Sequence, residues 1–317
     1  MTEPTRSESM EESCGRTLTD LGGRDPNLFA LSGDPEDVNV VRPFGKRFPD
    51  RYLDLPHQEA TMMSAATGLA LRGRTVYAST RAVSAAGPGY PALRSTACHF
   101  RARVKVIATH GGLGAGGVGG SHPVLEDIGL MRGLPGMMVL VPADAPSAQI
   151  ALLAIHSREG PAYLRLAAGR VPNVTDGSFQ VGHAPELRAG SDLTIIAVGP
   201  LVARALEAAE ALARVGVSTR VLDFASVKPF DEPSLLRAAR DTGALLVLED
   251  HSVLTGVGAL VASTTSENYP VPVRRVGVAD LLGEFEGPAS PSERYGLATE
   301  RVRDEAWELL RLRGKVQ

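Results

Sequence analysis

Cysteine is nearly absent. Cys14 and Cys98 are the only two in 317 residues, too few for a disulfide framework and too far apart for a metal knuckle. Basic residues number 33 against 36 acidic ones, and with no basic stripe nucleic acid is not an expected partner. Only four of the basic residues are lysine, a bias of the kind a GC-rich genome produces. No apolar run reaches membrane-spanning length, so no membrane is expected either. The opening "MTEPTRSESMEES" lacks the basic start and apolar stretch of a signal peptide, and a cytoplasmic location is the expectation. What is present is ordinary for a globular chain: 44% hydrophobic residues, 22% charged residues and a net charge of -3. The length suits two domains or one large one.

Residues 1–10 read as a disordered tail. Beyond them "NLFALS", "TVYAST", "VKVIATH", "MMVLVP" and "AYLRLA" are nearly all apolar. That is the pattern of parallel strands covered on both faces. Helical patterns lie between them, over 13–21, 59–71, 91–100 and 146–156. The last has Pro146 at its start and Gly160 just past its end, helix signals in the right order. The segment "VPNVTDGSFQVGHAPELRAGSD" breaks the rhythm and reads as a linker. A second series follows, with strands "DLTIIAVG", "STRVLDFA", "ALLVLED" and "VPVRRVGV", an amphipathic helix over 200–216 and a closing helix over 300–312. The expectation is an α/β fold: two domains with mainly parallel sheets flanked by helices, over 11–175 and 191–317, joined by a linker over 176–190.

Seven of the ten residues between His110 and Ser121 are glycine. The run contains a literal G-x-G-x-x-G at Gly114, Gly116 and Gly119, with Asp144 about 20 residues further on, where a ribose-binding acid would stand. In a dinucleotide fold, however, the third glycine lies inside the opening helix. Here Gly120, Ser121, His122 and Pro123 follow, and a helix opening near Pro123 leaves the glycines in a loop. A P-loop is poorer still, because no Gly-Lys-Ser/Thr follows. A plain surface loop is the bland alternative. Against it, the loop follows an apolar, central strand, and loops at the carboxyl ends of such strands form the ligand crevice of an open parallel sheet.

Six segments carry a likeness to a known family. They are "FGKRFPDRYLDLPHQEATMMSAATGLALRGRTVYAST", "VIATHGGLGAGGVGGSHPVLEDIGLMRGLPGMMVLVPADA", "GPAYLRL", "DLTIIAVGPLVARALEAAEAL", "VKPFDEPSLLRAARDTGALLVLEDHSVLTGVGALVA" and "VPVRRVGVADLLGEFEGPASPSERYGL". In this order they resemble the C-terminal half of transketolase, and more specifically the smaller subunit of split, two-chain transketolases. The resemblance implies a pyrimidine-binding domain, then a transketolase C-terminal domain, with thiamine diphosphate as cofactor. The family's Gly-Asp-Gly motif, which holds the diphosphate and its Mg2+ or Ca2+, is missing from this sequence. A hard cation needs an oxygen-rich site, so the resemblance implies an N-terminal partner subunit that supplies it, in a heterotetramer of two of each chain.

The resemblance assigns residues. Glu59, in "PHQEATM", falls at the glutamate that activates the cofactor by bonding the pyrimidine nitrogen, a role helped by burial. Read alone, it is a glutamate in a helix's first turn, where the dipole favours an anion. His110 and His122 match substrate-channel histidines that bind donor hydroxyls and move protons; alone, each reads as a loop histidine bonded to backbone. His57, His99, His156, His183 and His251 carry no site argument. Asp34 falls at an aspartate near the cofactor and is also a good turn residue beside Pro35.

The departures are equally informative. Two family phenylalanines that pack on the aminopyrimidine are here Arg81 and Ser84, whereas Tyr90 matches a family tyrosine. An aromatic face contributes ~0.5–1.5 kcal/mol beyond buried area. Arg81 has two options instead: to stack its guanidinium plane, or to hold an anionic acceptor. Before Ser121, where the family has Glu-Asp, stand Gly117 and Val118. Valine cannot read a sugar hydroxyl, and an unpaired hydroxyl costs about 1–3 kcal/mol. Arg165 is kept and is expected to bind substrate. A phosphate-binding arginine expected further on is Ala168, with Arg170 as its substitute.

The expected function is transfer of a two-carbon ketol unit from a ketose phosphate to an aldehyde, in a transketolase-like enzyme whose acceptor is not an ordinary sugar phosphate. Three alternatives stand beside it: the beta subunit of a 2-oxoacid dehydrogenase, a non-catalytic structural or regulatory partner subunit, and a nicotinamide-binding protein.

Overall fold

The computed structural model describes residues 8–113, 123–280 and 294–314. In chain order the first domain comprises α1 (Met10–Arg24), β1 (Leu28–Ser32), α2 (Arg42–Arg47), β2 (Tyr52–Asp54), α3 (Glu59–Leu71) and β3 (Thr75–Arg81). Next come α4 (Ala82–Ala86), α5 (Tyr90–Leu93), a π-helical turn (Arg94–Cys98), β4 (Val104–Thr109), α6 (Asp127–Gly133), β5 (Met138–Leu140), α7 (Ala145–His156) and β6 (Ala162–Arg165). The second part has β7 (Glu186–Arg188), β8 (Leu193–Ala197), α8 (Leu201–Ala213), β9 (Thr219–Asp223), β10 (Ser226–Lys228), α9 (Glu232–Thr242) and β11 (Leu245–Ser252). It closes with α10 (Val257–Asn268), β12 (Val273–Val278) and α11 (Thr299–Leu312).

The strands form two sheets, in the orders β10-β5-β6-β4-β3-β1-β2 and β12-β11-β8-β9-β7. All pairs are parallel except β10 on β5 and β7 on β9. The apolar runs of the sequence are these strands, and β4 and β8 are buried at every position. Strand β10 follows β9 of the second sheet yet pairs with the first, Ser226 opposite Leu140. The hydrophobic core is correspondingly continuous: Val139 and Val141 share a cluster with Ile196, Phe224 and Leu235.

Two local expectations change. Ser9 and Met10, expected in the tail, instead cap and open α1. Ser9 and Glu12 form a reciprocal capping box, with Glu12 N–H donating to Ser9 Oγ at 3.1 Å and Ser9 N–H to Glu12 Oε2 at 2.8 Å. The stretch 176–190, expected as linker, contains β7, an edge strand antiparallel to β9. With only three residues, none fully buried, it has no alternation to betray it.

Topology also marks a crevice. Strand β1 has β2 on one side and β3 on the other, so the chain reverses direction across the sheet there. In open α/β sheets ligands bind outside the carboxyl ends of strands at such a point.

Candidate active site

The loops at that point are pinned to the sheet. Gly33 N–H donates to Ser79 O at 2.8 Å, Leu55 N–H to Ser32 O at 2.8 Å and His57 N–H to Gly33 O at 2.9 Å. These bonds continue the ladder beyond the strand ends. They bring the segment after β1, the start of α3 and the end of β3 around one cavity of about 230 Å³. Asp34, Glu59, Arg81 and Ser84, chosen from sequence, all line it. Glu36, His57 and Thr80 line it too and were missed. His57 turns the chain into α3 with φ +57°, a geometry unusual for a side-chain-bearing residue.

Glu59 is the first residue of α3 and is 7% exposed. Asp34 combines both readings of it. Its Oδ1 accepts the Glu36 N–H at 2.9 Å, a turn contact, and its Oδ2 accepts from Arg81 Nε at 3.1 Å. Arg81 also pairs with Glu36. Its charge is therefore already matched by two carboxylates, which compete with any anionic acceptor. Tyr90 opens α5 and packs half-buried against the core rather than lining the cavity.

The cavity suits a flat heteroaromatic amine. It offers the Glu59 carboxyl, the aliphatic side chain of Val83, and Thr80 Oγ1, a buried hydroxyl with no hydrogen-bond partner among the described residues. A Cβ on Gly33 would stand 3.2 Å from Thr80 Oγ1 and 3.1 Å from Met62 Cε, so the bare glycine keeps that wall open. At about 230 Å³ the space is smaller than a complete site for a drug-sized ligand, roughly 300–1,000 Å³. It is one wall of a site.

His110 lies just past β4 with φ +57°. Its Nδ1 is 3.5 Å from Oε1 of Glu11 on α1, a residue that sequence reasoning did not single out. Burial lowers the imidazole below its usual value and the Arg81 charge adds to this, while Asp34, Glu36 and Asp37 pull the other way. Burial pushes the Glu11 carboxyl up to about 7, and Asp37 adds to it. His122, Gly117 and Val118 lie outside the described residues.

The first glycines of the run have a structural reason. A Cβ at Gly111 would sit 2.6 Å from Arg165 Cγ, and one at Gly112 would sit 1.9 Å from Asp250 Oδ2. Gly112 also has φ +75° and bridges Val124, closing the base of the loop. The residues packed there form a buried network. Arg165 donates through Nε to Asp127 Oδ2 at 2.9 Å and through Nη1 to Asp250 Oδ1 at 2.8 Å. Tyr163 Oη donates to Asp127 Oδ2 at 2.8 Å. Burial opposes the guanidinium charge, but Asp127 and Asp250 outweigh it and hold its pKa above the usual value. His251 is buried beside Asp127, and burial pushes it down to about 4, so it is neutral. Arg165, expected from sequence to bind substrate, is placed inside this network. Its side chain is 2% exposed and fastens β6 of the first sheet to β11 of the second.

Arg170 pairs with Glu12 at 2.9 Å, next to Glu11. It also lines a second cavity, about 360 Å³, together with Arg204, Leu201 and Asp250. Among the described residues no group of three or more His, Cys, Asp or Glu is arranged to hold a metal. No helix among them is long and apolar enough to cross a membrane.

Comparison with known proteins places this architecture. Residues 7–173 match the transketolase pyrimidine binding domain and residues 182–302 the transketolase C-terminal domain, so the chain belongs to the transketolase family. It is similar to the 6-deoxy-6-sulfo-D-fructose transketolase subunit SqwH of Clostridium sp. (strain MSTE9), with 36% identity over 288 residues, 90% of this chain and 89% of that one. It is also similar to an apulose-4-phosphate transketolase subunit of Phocaeicola vulgatus, with 31% identity over 298 residues, 93% of this chain and 95% of that one. Among solved structures, a split gene transketolase described as an inactive beta4 tetramer superposes with a TM-score of 0.89 at 39% identity, over 96% of this chain and 99% of that one. The chain is a subunit of a split, transketolase-like enzyme of the thiamine-diphosphate-dependent family, a ketol transferase.

Proposed function

We propose that this chain supplies the pyrimidine half of a composite active site, completed by an N-terminal subunit carrying the diphosphate- and metal-binding motif. The supporting observation is Glu59, buried at the first turn of α3 on the same cavity as Asp34, Arg81 and Ser84. Thiamine diphosphate, when bound, supplies an electron sink for the two-carbon fragment. Glu59 would bond the pyrimidine ring, and Thr80 Oγ1 and Val83 would flank it. Asp34 orients Arg81 through its ion pair, and Ser84 completes that side, while Tyr90 supports the core rather than the cavity wall. His110 and His122 would hold donor hydroxyls and move protons, while Arg170 would meet the phosphate of the ketose donor. Mg2+ or Ca2+ would be held by the partner, two of each chain would assemble, and the cell compartment would be the cytoplasm.

Two similar subunits are named for sulfofructose and for apulose phosphate, sugars outside the ordinary set. Together with Val118 in place of a hydroxyl-reading carboxylate, this supports an acceptor other than an ordinary sugar phosphate. The test is ketol transfer by the paired subunits to a panel of aldehydes. The expected result is preference for an acceptor other than ribose or erythrose phosphate; preference for either of those defeats the specificity reading. A nearly unchanged rate in Glu59→Gln defeats the catalytic one.

A further inference from the structure

The sequence leaves Arg81 two roles, a stacking plane or a grip on an anionic acceptor, and the geometry separates them. Arg81 closes β3 with its backbone opposite Thr109. Its side chain is 14% exposed and lines the Glu59 cavity. Nε donates to Asp34 Oδ2 at 3.1 Å, and Nη2 donates to Glu36 Oε2. Asp34 is itself held in place. Its Oδ1 accepts the Glu36 N–H at 2.9 Å, and its carbonyl accepts from Ser32 Oγ at 3.1 Å. The N–H groups of a guanidinium lie in one plane and form a rigid fork. Two carboxylates on the edge of that plane fix its orientation and leave its faces for packing. The side of the fork that would clamp an incoming phosphate or carboxylate is already taken.

Electrostatics point the same way. Two carboxylates meet one guanidinium, so these three side chains carry one negative charge in excess. An anionic group arriving there meets net repulsion, strengthened by partial burial. A flat ring joined to a cation, as the pyrimidine of thiamine diphosphate is joined to its thiazolium, meets net attraction.

We propose that Arg81 is the ring-packing residue of this site: its guanidinium, held at the edge by Asp34 and Glu36, lays its face on the cofactor's pyrimidine. The proposal rests on the reading of the Glu59 cavity given above. The two carboxylates have a second effect, since they cancel the repulsion that Arg81 would exert on the thiazolium. Glu36 thereby joins the site as a positioning residue, although its side chain is 73% exposed. A guanidinium plane packs well on an aromatic face, whereas an ammonium has no plane to offer. Arg81 is also set by its ion pairs before the ring arrives, so little order remains to be lost on binding.

The test is the binding of thiamine diphosphate, with Mg2+, to the full chain assembled with its partner subunit, measured by titration calorimetry. Arg81→Lys keeps the charge and loses the plane, while Arg81→Phe keeps a plane and loses the charge. Arg81→Lys is expected to weaken cofactor binding about 5- to 10-fold, and Arg81→Phe to recover at least about three-fold over it. Glu36→Gln alters an exposed side chain and does not endanger folding. It removes the excess charge and is expected to weaken binding about two- to five-fold at low salt, and less at high salt. The reverse order, with lysine binding as well as arginine and phenylalanine binding worse, would make Arg81 a point charge and overturn the proposal. So would Arg81→Phe assembling normally yet binding no better than Arg81→Lys, or Glu36→Gln binding as wild type does at low salt. If Arg81→Phe does not assemble, Arg81→Lys and Glu36→Gln decide between the same outcomes. A wild-type pair that binds no thiamine diphosphate overturns the reading of the cavity itself, and this proposal with it.

Discussion

The bare backbone at the start of the glycine run makes a quantitative prediction. If Gly112 is glycine because Asp250 lies against it, a side chain there and the Asp250 carboxylate exclude one another. In Gly112→Ala the new Cβ would stand 1.9 Å from Asp250 Oδ2, which must move away from Arg165. The left-handed φ of +75° adds strain of about 1 kcal/mol. Loosening a charged hydrogen bond adds a further ~1.5–3 kcal/mol, so the total is about 2.5–4 kcal/mol. Asp250→Ala leaves Arg165 with Asp127 alone in the interior and is expected to cost ~3–5 kcal/mol. In the double variant the collision is gone, and alanine at 112 should cost only its backbone strain, ~1 kcal/mol. The two effects should therefore fall short of additivity by roughly 2 kcal/mol. Equilibrium urea unfolding of the four proteins, at one protein concentration to hold oligomerisation constant, measures this. Additivity within about 0.5 kcal/mol would refute the explanation.

Further predictions concern buried carboxyls. Burial pushes Asp223 up to about 7 from an ordinary 3.8, and its Oδ1 has no hydrogen-bond partner among the described residues. The folded state then binds more protons than the unfolded one between those values, so this group's contribution to stability falls as pH rises from about 4 to about 7 and is flat above. Asp223→Asn should remove that slope, gaining on wild type by up to ~4 kcal/mol at pH 8; parallel pH profiles of the unfolding free energy would contradict it. Glu249 accepts the N–H groups of Val257 and Gly258 at 2.7 and 2.9 Å, capping α10 from β11. Glu249→Ala should cost about 1–3 kcal/mol and speed hydrogen exchange at both amides, with Glu249→Gln milder because it keeps an acceptor.

The strands were legible because parallel strands buried on both faces are written as unbroken apolar runs, and β1, β3, β4, β8 and β11 fall on the runs chosen from sequence. Elements β2, β7 and β10 have three residues each and little apolar content, and their existence depends on a neighbour's free edge. Helix α9 carried its own punctuation, Asp231 at the N-cap and Gly243 in the left-handed conformation after it, and was passed over among charged residues. Helix α10 has an apolar start and a threonine- and serine-rich end, with no clear stripe. In the site, Glu59, Asp34, Arg81 and Ser84 converge on one cavity. Glu11 could not be found that way, since its partner is 99 residues distant along the chain. Arg165 was singled out because the family resemblance keeps an arginine there. Its ion pairs with Asp127 and Asp250 were not legible, because only the topology brings the three together. A partial signal was present in "AYLRLA" and "ALLVLED", where opposite charges interrupt two buried strands.

The functional reading turns on Glu59 as the group through which this chain activates the cofactor of a two-chain ketol transferase. The decisive measurement is the turnover of the wild-type and Glu59→Gln chains, each assembled with the partner subunit and thiamine diphosphate, with a ketose phosphate donor and an aldehyde. Ketol transfer is expected in the wild-type pair, none by either subunit alone, and a loss of at least about a hundred-fold in Glu59→Gln with assembly intact. Full activity in Glu59→Gln, or in this chain alone, would contradict that role.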